Sequence, residues 1–465
     1  MREKNAQTLR VKYLFPAQYP GEERAQWGFV HTREDAEREK AVIEGELKGI
    51  RAELAAEGTE VTFEGGEIVD SSQKLLGLMP TLSQYDAVIS FGLAPASHPA
   101  GEWGSLAGAL AASTRHLVIF LKMYGSEYYG DTLFAPPFMQ YLKRIGWEGR
   151  GSLVTDDYEE LKSLLRALLA LKEMATTRIL YVGYPNPAFG GWLTWGRSQE
   201  LFGIETVRFY SFEEAQRDFE ELWEDKEAQE EAKRAVEAFT EDHEVLEPTE
   251  EKLQRAATFY LLIERYIEGT GANAVTVHCL AEIQRMVQAT PCMAFSLLND
   301  RGIVSSCEAD PTGIPAHLLT TYLAHRPSFF TDPTISPGEG RFILAHCTSP
   351  TRLLGYEESP FPYRVRTHHE SNLAATDQPQ FAEGEVTVAG FSFELDKLLV
   401  AKGHVVGTPD LPICRAQVEI EVKDAVYYLH NWQGFHWMMV YGDYTGELRH
   451  VCRMKGIEYV GRSLK

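Results

Sequence analysis

The chain has few cysteines, no long apolar run, no basic cluster and no internal repeat, and each lack closes off a class of function. Six cysteines, at positions 279, 292, 307, 347, 414 and 452, are spread over 465 residues without a CxxC pair. That spacing does not fit a secreted disulfide framework and predicts reduced cytosolic thiols. No apolar stretch approaches the roughly 20 residues that a bilayer-spanning helix needs. The N-terminal MREKNAQTLRVKYLF is polar before it turns strand-like, so neither an anchor nor a signal peptide is expected, and the location expected is cytoplasmic. Lys and Arg number 45 against 67 Asp and Glu, a net charge of -22 that no Lys/Arg-rich run offsets locally. Such a surface repels phosphate backbones and anionic lipid, which disfavours nucleic acid and membrane as partners.

What is present is the balance of a globular protein, 44% hydrophobic and 24% charged. The length exceeds what one hydrophobic core supports, so two to three domains are expected. The first part alternates strand-like and helical runs: LRVKYLFPA, the charged helix TREDAEREKAVIEGELKGIRAELAAEG, TEVTFEG, YDAVISFGL and RHLVIFLK. That rhythm predicts a parallel sheet flanked by helices. It restarts at TTRILYVGYP, which sets a first domain at 1–175 and a second α/β domain at 176–340. The acid-rich stretch from Phe212 to Lys252 keeps apolar residues at helical spacing and reads as a solvated helical surface. Beyond about residue 340 the strand candidates become short and closely spaced, as in RFILAHC, YRVRTH, GEVTVAGFSFEL, KLLVAKGHVVG and CRAQVEIEV. They predict an antiparallel barrel or sandwich over 341–465, closing on a helix or turn that carries NWQGFHWMMVYG.

Three segments carry groups capable of chemistry. The strand-like GIVSSC delivers Glu308 and Asp310 into a Gly/Pro turn, and acids at the carboxyl end of such a strand point into the usual ligand crevice. RPSFFTDPT places Asp332 before a proline, as an acid on a rigid loop, and NWQGFHWMM sets His436 among aromatics. Two carboxylates and an imidazole form a mixed O/N donor set that suits Mn, Co or Mg better than a Cys-rich structural zinc site. A cation there would leave positions for a sugar's carbonyl and adjacent hydroxyl, and a carboxylate could move the proton between C1 and C2. Taken singly, each residue is more often a turn, capping or core residue.

At these positions the sequence resembles the L-fucose isomerase and L-arabinose isomerase superfamily, closest to its fucose branch. SCEADPTG with Glu308, Asp332 following 24 residues later, and NWQGFH with His436 match that branch in order, chemistry and spacing. The resemblance is concentrated from about Ala272 to Ile457. It implies two Rossmann-like doubly wound domains followed by a C-terminal antiparallel β-barrel domain. It also implies an aldose-ketose isomerase working through a metal-bound cis-enediol. Glu308 and Asp332 would be the catalytic pair, and Glu308, Asp332 and His436 the metal ligands. Mn2+ is the expected ion, with Co2+ or Mg2+ as alternatives, and the expected assembly is a trimer or hexamer whose active sites lie at subunit interfaces.

Other residues stand near this set. His346 occupies a position reminiscent of the additional histidine ligand in arabinose isomerases, as a metal or substrate ligand, with a structural role as the alternative. Asp310 reads as the cap of its turn. Of the adjacent His368 and His369, which face opposite ways on a strand, at most one, His368, is expected to reach a sugar. Trp432 and Trp437 offer flat faces to a sugar's C-H surface, and by resemblance Asn431 binds substrate or orients His436. Two alternatives stay open: a non-catalytic sugar-binding protein, and an isomerase of an anionic, sulfonated hexose. For the latter, Arg364, Arg366 and Arg415 are the candidate counter-charges. The turn YPNPAFGGWLTWG reads as a lid, a subunit contact or an ordinary loop.

Overall fold

The computed structural model describes residues 7–17, 32–93, 104–121, 153–280, 282–336 and 338–462. The chain divides into two compact units, one of Asn5–Leu169 with Arg449–Gly456 and one of Ala170–Leu448 with Ile457–Lys465. In the first, five parallel strands lie in the order Val61–Val69, Leu9–Pro16, Ala87–Phe91, Leu117–Phe120, Leu153–Thr155. Successive strand residues feed opposite faces, as a pleated strand requires. Ile89 and Phe91 join one apolar cluster with Val11, Ile43 and Leu47, while Val88 joins another with Leu14, Leu75 and Leu110. The sheet is therefore buried on both faces, which explains its near-continuous Val/Ile/Leu/Phe runs. The long charged helix expected from the sequence spans Arg33–Ala56, opens on a Thr32/Asp35 capping box, and buries the stripe Ala36, Ile43, Leu47, Ile50 and Leu54.

The second unit holds a four-stranded parallel sheet in the order Val304–Ser306, Ala274–Val277, Arg178–Val182, Glu205–Tyr210. The acid-rich stretch forms two helices, Phe212–Glu224 and Lys226–Thr240. Phe212, Ala215, Phe219 and Leu222 face inward along the first of them, with most of its acids outside, as expected of a solvated face.

The same unit contains a closed barrel of six antiparallel strands: Gly384–Phe391, Trp437–Tyr441, Phe329–Ser336, Arg341–His346, Ala416–Val422 and Lys397–Gly407, with the last pairing back to the first. Alternate residues such as Val386/Val388, Phe342/Leu344, Val418/Ile420 and Trp437/Met439/Tyr441 fill its interior.

Three expectations are corrected here. Tyr363–Arg366 is not a barrel strand; it pairs with Thr376–Pro379 and Glu244–Val245 in a separate small sheet. Glu247 fixes it there by binding Arg366 and Thr367, 119 and 120 residues further along the chain. WMMVY is a strand rather than a helix or turn, because all five residues are buried and the run is paired on both sides. Asp332 lies on a barrel strand, not a loop. Pro333 is tolerated there because pairing to Trp437–Tyr441 ends at Thr331, so its missing N-H faces an open edge. No helix among the described residues is long and apolar enough to cross a membrane.

Candidate metal centre

Glu308 is placed by a strained turn. The strand Val304–Ser306 is clamped at its end, where the Asn299 side chain bonds both N and O of Ser305 and the Thr276 hydroxyl donates to Ser306 O at 2.7 Å. The next residues break sharply: Glu308 and Ala309 have φ of 61° and 49°, both left-handed. Two non-glycine residues in that region cost free energy that surrounding contacts must offset. Asn186 N donates to Ala309 O at 3.0 Å, and Asp310 Oδ1 accepts from Thr312 N and Oγ1 at 2.7 and 2.8 Å. The helix Gly313–Ala324 follows at once.

His436 arrives from the other side of the chain, at the end of the NWQG turn. Gly434 has φ of 63°, and a Cβ there would stand 2.1 Å from Phe391 O, so only glycine fits. The His436 ring is enclosed by Phe330, Phe435 and Phe189 at centroid distances of 4.4, 4.8 and 5.0 Å. Its Nδ1 donates to Asp310 Oδ2 at 2.7 Å, with both side chains 0% exposed. Among the described residues its Nε2 has no hydrogen-bond partner; it lies 3.6 Å from Glu308 Oε2 and 3.3 Å from Asp332 Oδ1, which is likewise buried and without a partner among them. His346, the last residue of its barrel strand, sets Nε2 3.7 Å from Glu308 Oε1. One ligand atom from each of Glu308, His346 and His436 falls within 4.8 Å of the others.

The electrostatics match this geometry. Burial alone would lower the His436 pKa, but Asp310, Asp332 and Glu308 outweigh it and hold the imidazole well above its ordinary value. Burial alone would raise Glu308, but His346 and His436 keep its carboxyl well below the usual carboxylate range. Negative charge thus converges on the unpartnered Nε2, a place that stabilises a proton or, equally, a cation. The residues present fit a divalent ion with a mixed O/N donor set.

Glu308, His436 and His346 are brought together, with Asp332 beside them and its side chain 35% exposed. His368 Nδ1 accepts from Ser371 N, which in the neutral ring assigns the proton to Nε2. Burial and the neighbouring His346 push His368 down to about 4, so this ring is neutral. Asn431 does not orient His436: its amide donates to Tyr427 O at 2.9 Å and caps the helix Ala425–His430. Trp437 is 0% exposed in the barrel core and presents no face to a sugar. Trp432 packs against it at 4.4 Å, its Nε1 bonded to Gly434 O. The three arginines carry ion pairs, Arg364 to Glu244 and both Arg366 and Arg415 to Glu247. Sequence reasoning missed the second oxygen of Asp310 and the wall formed by Phe189, which the YPNPAF turn lays against His436. No local pattern marks either contact, since their partners lie more than 120 residues away.

A buried carboxylate and two imidazoles, brought together from a parallel sheet and a barrel, form a group that could hold a metal ion. The curated relatives agree on the type of enzyme. The chain is 27% identical over 318 residues to a sulfoquinovose isomerase of Alkalicoccus urumqiensis, covering 65% of this chain and 68% of that protein. Sulfoquinovose isomerases of Priestia aryabhattai and Priestia megaterium are each 26% identical over 222 residues, covering 46% of this chain and 49% of theirs. The chain thus spans about half the length of the two Priestia relatives. No family model matches it. These similarities support an isomerase, an enzyme rather than a binding module.

Proposed function

We propose that the chain is a metal-dependent aldose-ketose isomerase whose substrate is a sulfonated hexose of the sulfoquinovose type. The observation that carries this reading is the buried Glu308, His346, His436 group in a chain similar to proteins named for that reaction. The five-stranded order, with its reversal between the first and third strands, fits a doubly wound, Rossmann-like domain. A bound divalent ion, Mn2+ by resemblance, would polarise the carbonyl and adjacent hydroxyl of the open-chain sugar.

The chain's own residues supply the rest. Glu308, ionised and fixed in depth by its turn, takes the proton from C2 and returns it to C1. Asp332, at the more open edge, carries the hydroxyl proton between O2 and O1, and the two steps reverse for the ketose. His368 offers an Nε2-H without a partner among the described residues as a donor to a sugar hydroxyl. Phe189, Phe330 and Phe435 keep water away from His436.

The sulfonate needs a positive partner, and Arg415 fits best of the three arginines. Its backbone N bonds the Cys347 thiol, next to His346, and its Nε donates to Thr367 O at 3.1 Å, next to His368. Glu247 holds Nη2 at 3.0 Å, which leaves Nη1 without a partner among the described residues. A charge-assisted bond is worth about 1.5–3 kcal/mol, so Arg415→Met is expected to lower kcat/KM for the sulfonated sugar roughly 10- to 150-fold while scarcely changing it for the neutral sugar lacking the sulfonate. Equal losses on both sugars would contradict the assignment.

A further inference from the structure

We propose that Asp310 is a positioning residue for the metal: by accepting Nδ1-H it fixes His436 in the one tautomer whose Nε2 lone pair faces Glu308, Asp332 and His346. This rests on reading that cluster as a cation site. The two oxygens of Asp310 divide their work. Oδ1 takes both donors of Thr312, at 2.7 and 2.8 Å, and Oδ2 takes His436 Nδ1 at 2.7 Å. The carboxylate is therefore anchored to the turn before it meets the ring.

A carboxylate only accepts, so the imidazole must donate from Nδ1, and in the neutral ring Nε2 is left bare. The aromatic rings of Phe189, Phe330 and Phe435 do not distinguish one ring nitrogen from the other, and the carboxylates of Glu308 and Asp332, 3.6 and 3.3 Å from Nε2, stand at the ligand position itself, so Asp310 is the group that holds Nδ1. His346 has no such hold among the described residues, where its Nδ1 is buried without a partner. Gly313 makes room for the pair: a Cβ there would lie 2.9 Å from Asp310 Oδ2. Supporting carboxylates of this kind raise the metal affinity of a histidine roughly 10- to 100-fold.

The amide Asp310→Asn separates this role from that of a turn cap. Its oxygen can still accept from Thr312, but its NH2 must donate to Nδ1, which drives the ring proton to Nε2 and blocks the ligand position. The test titrates Co(II) into metal-free full-length protein, wild type and variants, reading the visible absorption and the melting temperature. The expected result is a wild-type melt for Asp310→Asn with Co(II) bound at least tenfold more weakly and a weaker absorption band. Unchanged affinity and spectrum overturn the proposal and leave Asp310 as a cap only. Should Asp310→Asn fail to fold, Thr312→Val, which removes one anchor of Oδ1, is expected to weaken Co(II) roughly two- to fivefold, and no change there overturns it too. Wild-type protein that binds no Co(II) would instead sink the reading of the cluster as a metal site.

Discussion

Asp377 carries a measurable penalty that an isosteric change should remove. It lies on the strand Thr376–Pro379, is 0% exposed, and among the described residues neither carboxyl oxygen has a hydrogen bond of good geometry, although the Ser296 hydroxyl and backbone N-H groups nearby offset part of the burial. Burial, reinforced by the nearby charge of Asp300, pushes its pKa up to about 8 from an ordinary 3.8. A carboxyl whose folded pKa is raised binds its proton more tightly when folded, so its contribution is most favourable below the unfolded value and is lost as pH rises through the folded one. Between pH 4 and pH 8 the folded chain keeps a proton that the unfolded chain has released, and stability falls by up to about 1.4 kcal/mol per pH unit. At pH 7 the accumulated cost is roughly 4 kcal/mol. Asp377→Asn keeps the shape and removes the titration. Urea unfolding followed by tryptophan fluorescence at pH 5, 6, 7 and 8 should show the variant gaining on wild type with each step. Parallel profiles would refute the argument, and would mean that the carboxyl ionises in the folded state at little cost.

Two further outcomes follow from the centre itself. Because Asp310, Asp332 and Glu308 raise the His436 pKa, a proton competes with the cation for Nε2, so Mn(II) affinity should rise with pH, by up to about tenfold per unit, with one proton released on binding; calorimetry in buffers of different ionisation heat reads that proton. Gly313→Ala sets a methyl 2.8 Å from the Phe330 ring and 2.9 Å from Asp310 Oδ2, and should cost about 1–3 kcal/mol of stability and weaken metal binding, whereas Gly338→Ala, with nothing within 4 Å, should do neither.

Much of the fold was legible because periodicity reports burial directly. Runs such as AVISF and LVIF are apolar at every position but Ser90 and became strands buried on both faces, and the alternation in GEVTVAG became a barrel strand. That Glu308 and His436 come together was legible through three short motifs in order. Trp437 misled because its neighbour His436 belongs to the centre, yet its own ring turns into the barrel; adjacent strand residues diverge. For Arg366 the sequence hides its partner: a lone Arg looks available, and the acid that neutralises it stands 119 residues upstream. The Asp310 to His436 bond spans 126 residues and was equally invisible.

The central claim is that this chain interconverts an aldose and a ketose with a metal held at Glu308, His346 and His436. The direct measurement is turnover of sulfoquinovose and its neutral counterpart by chelator-stripped protein, with and without Mn(II). The account predicts turnover only with metal, fastest on the sulfonated sugar, and lost in Glu308→Gln protein that melts normally. Undiminished turnover in the stripped protein, or in Glu308→Gln, would contradict it.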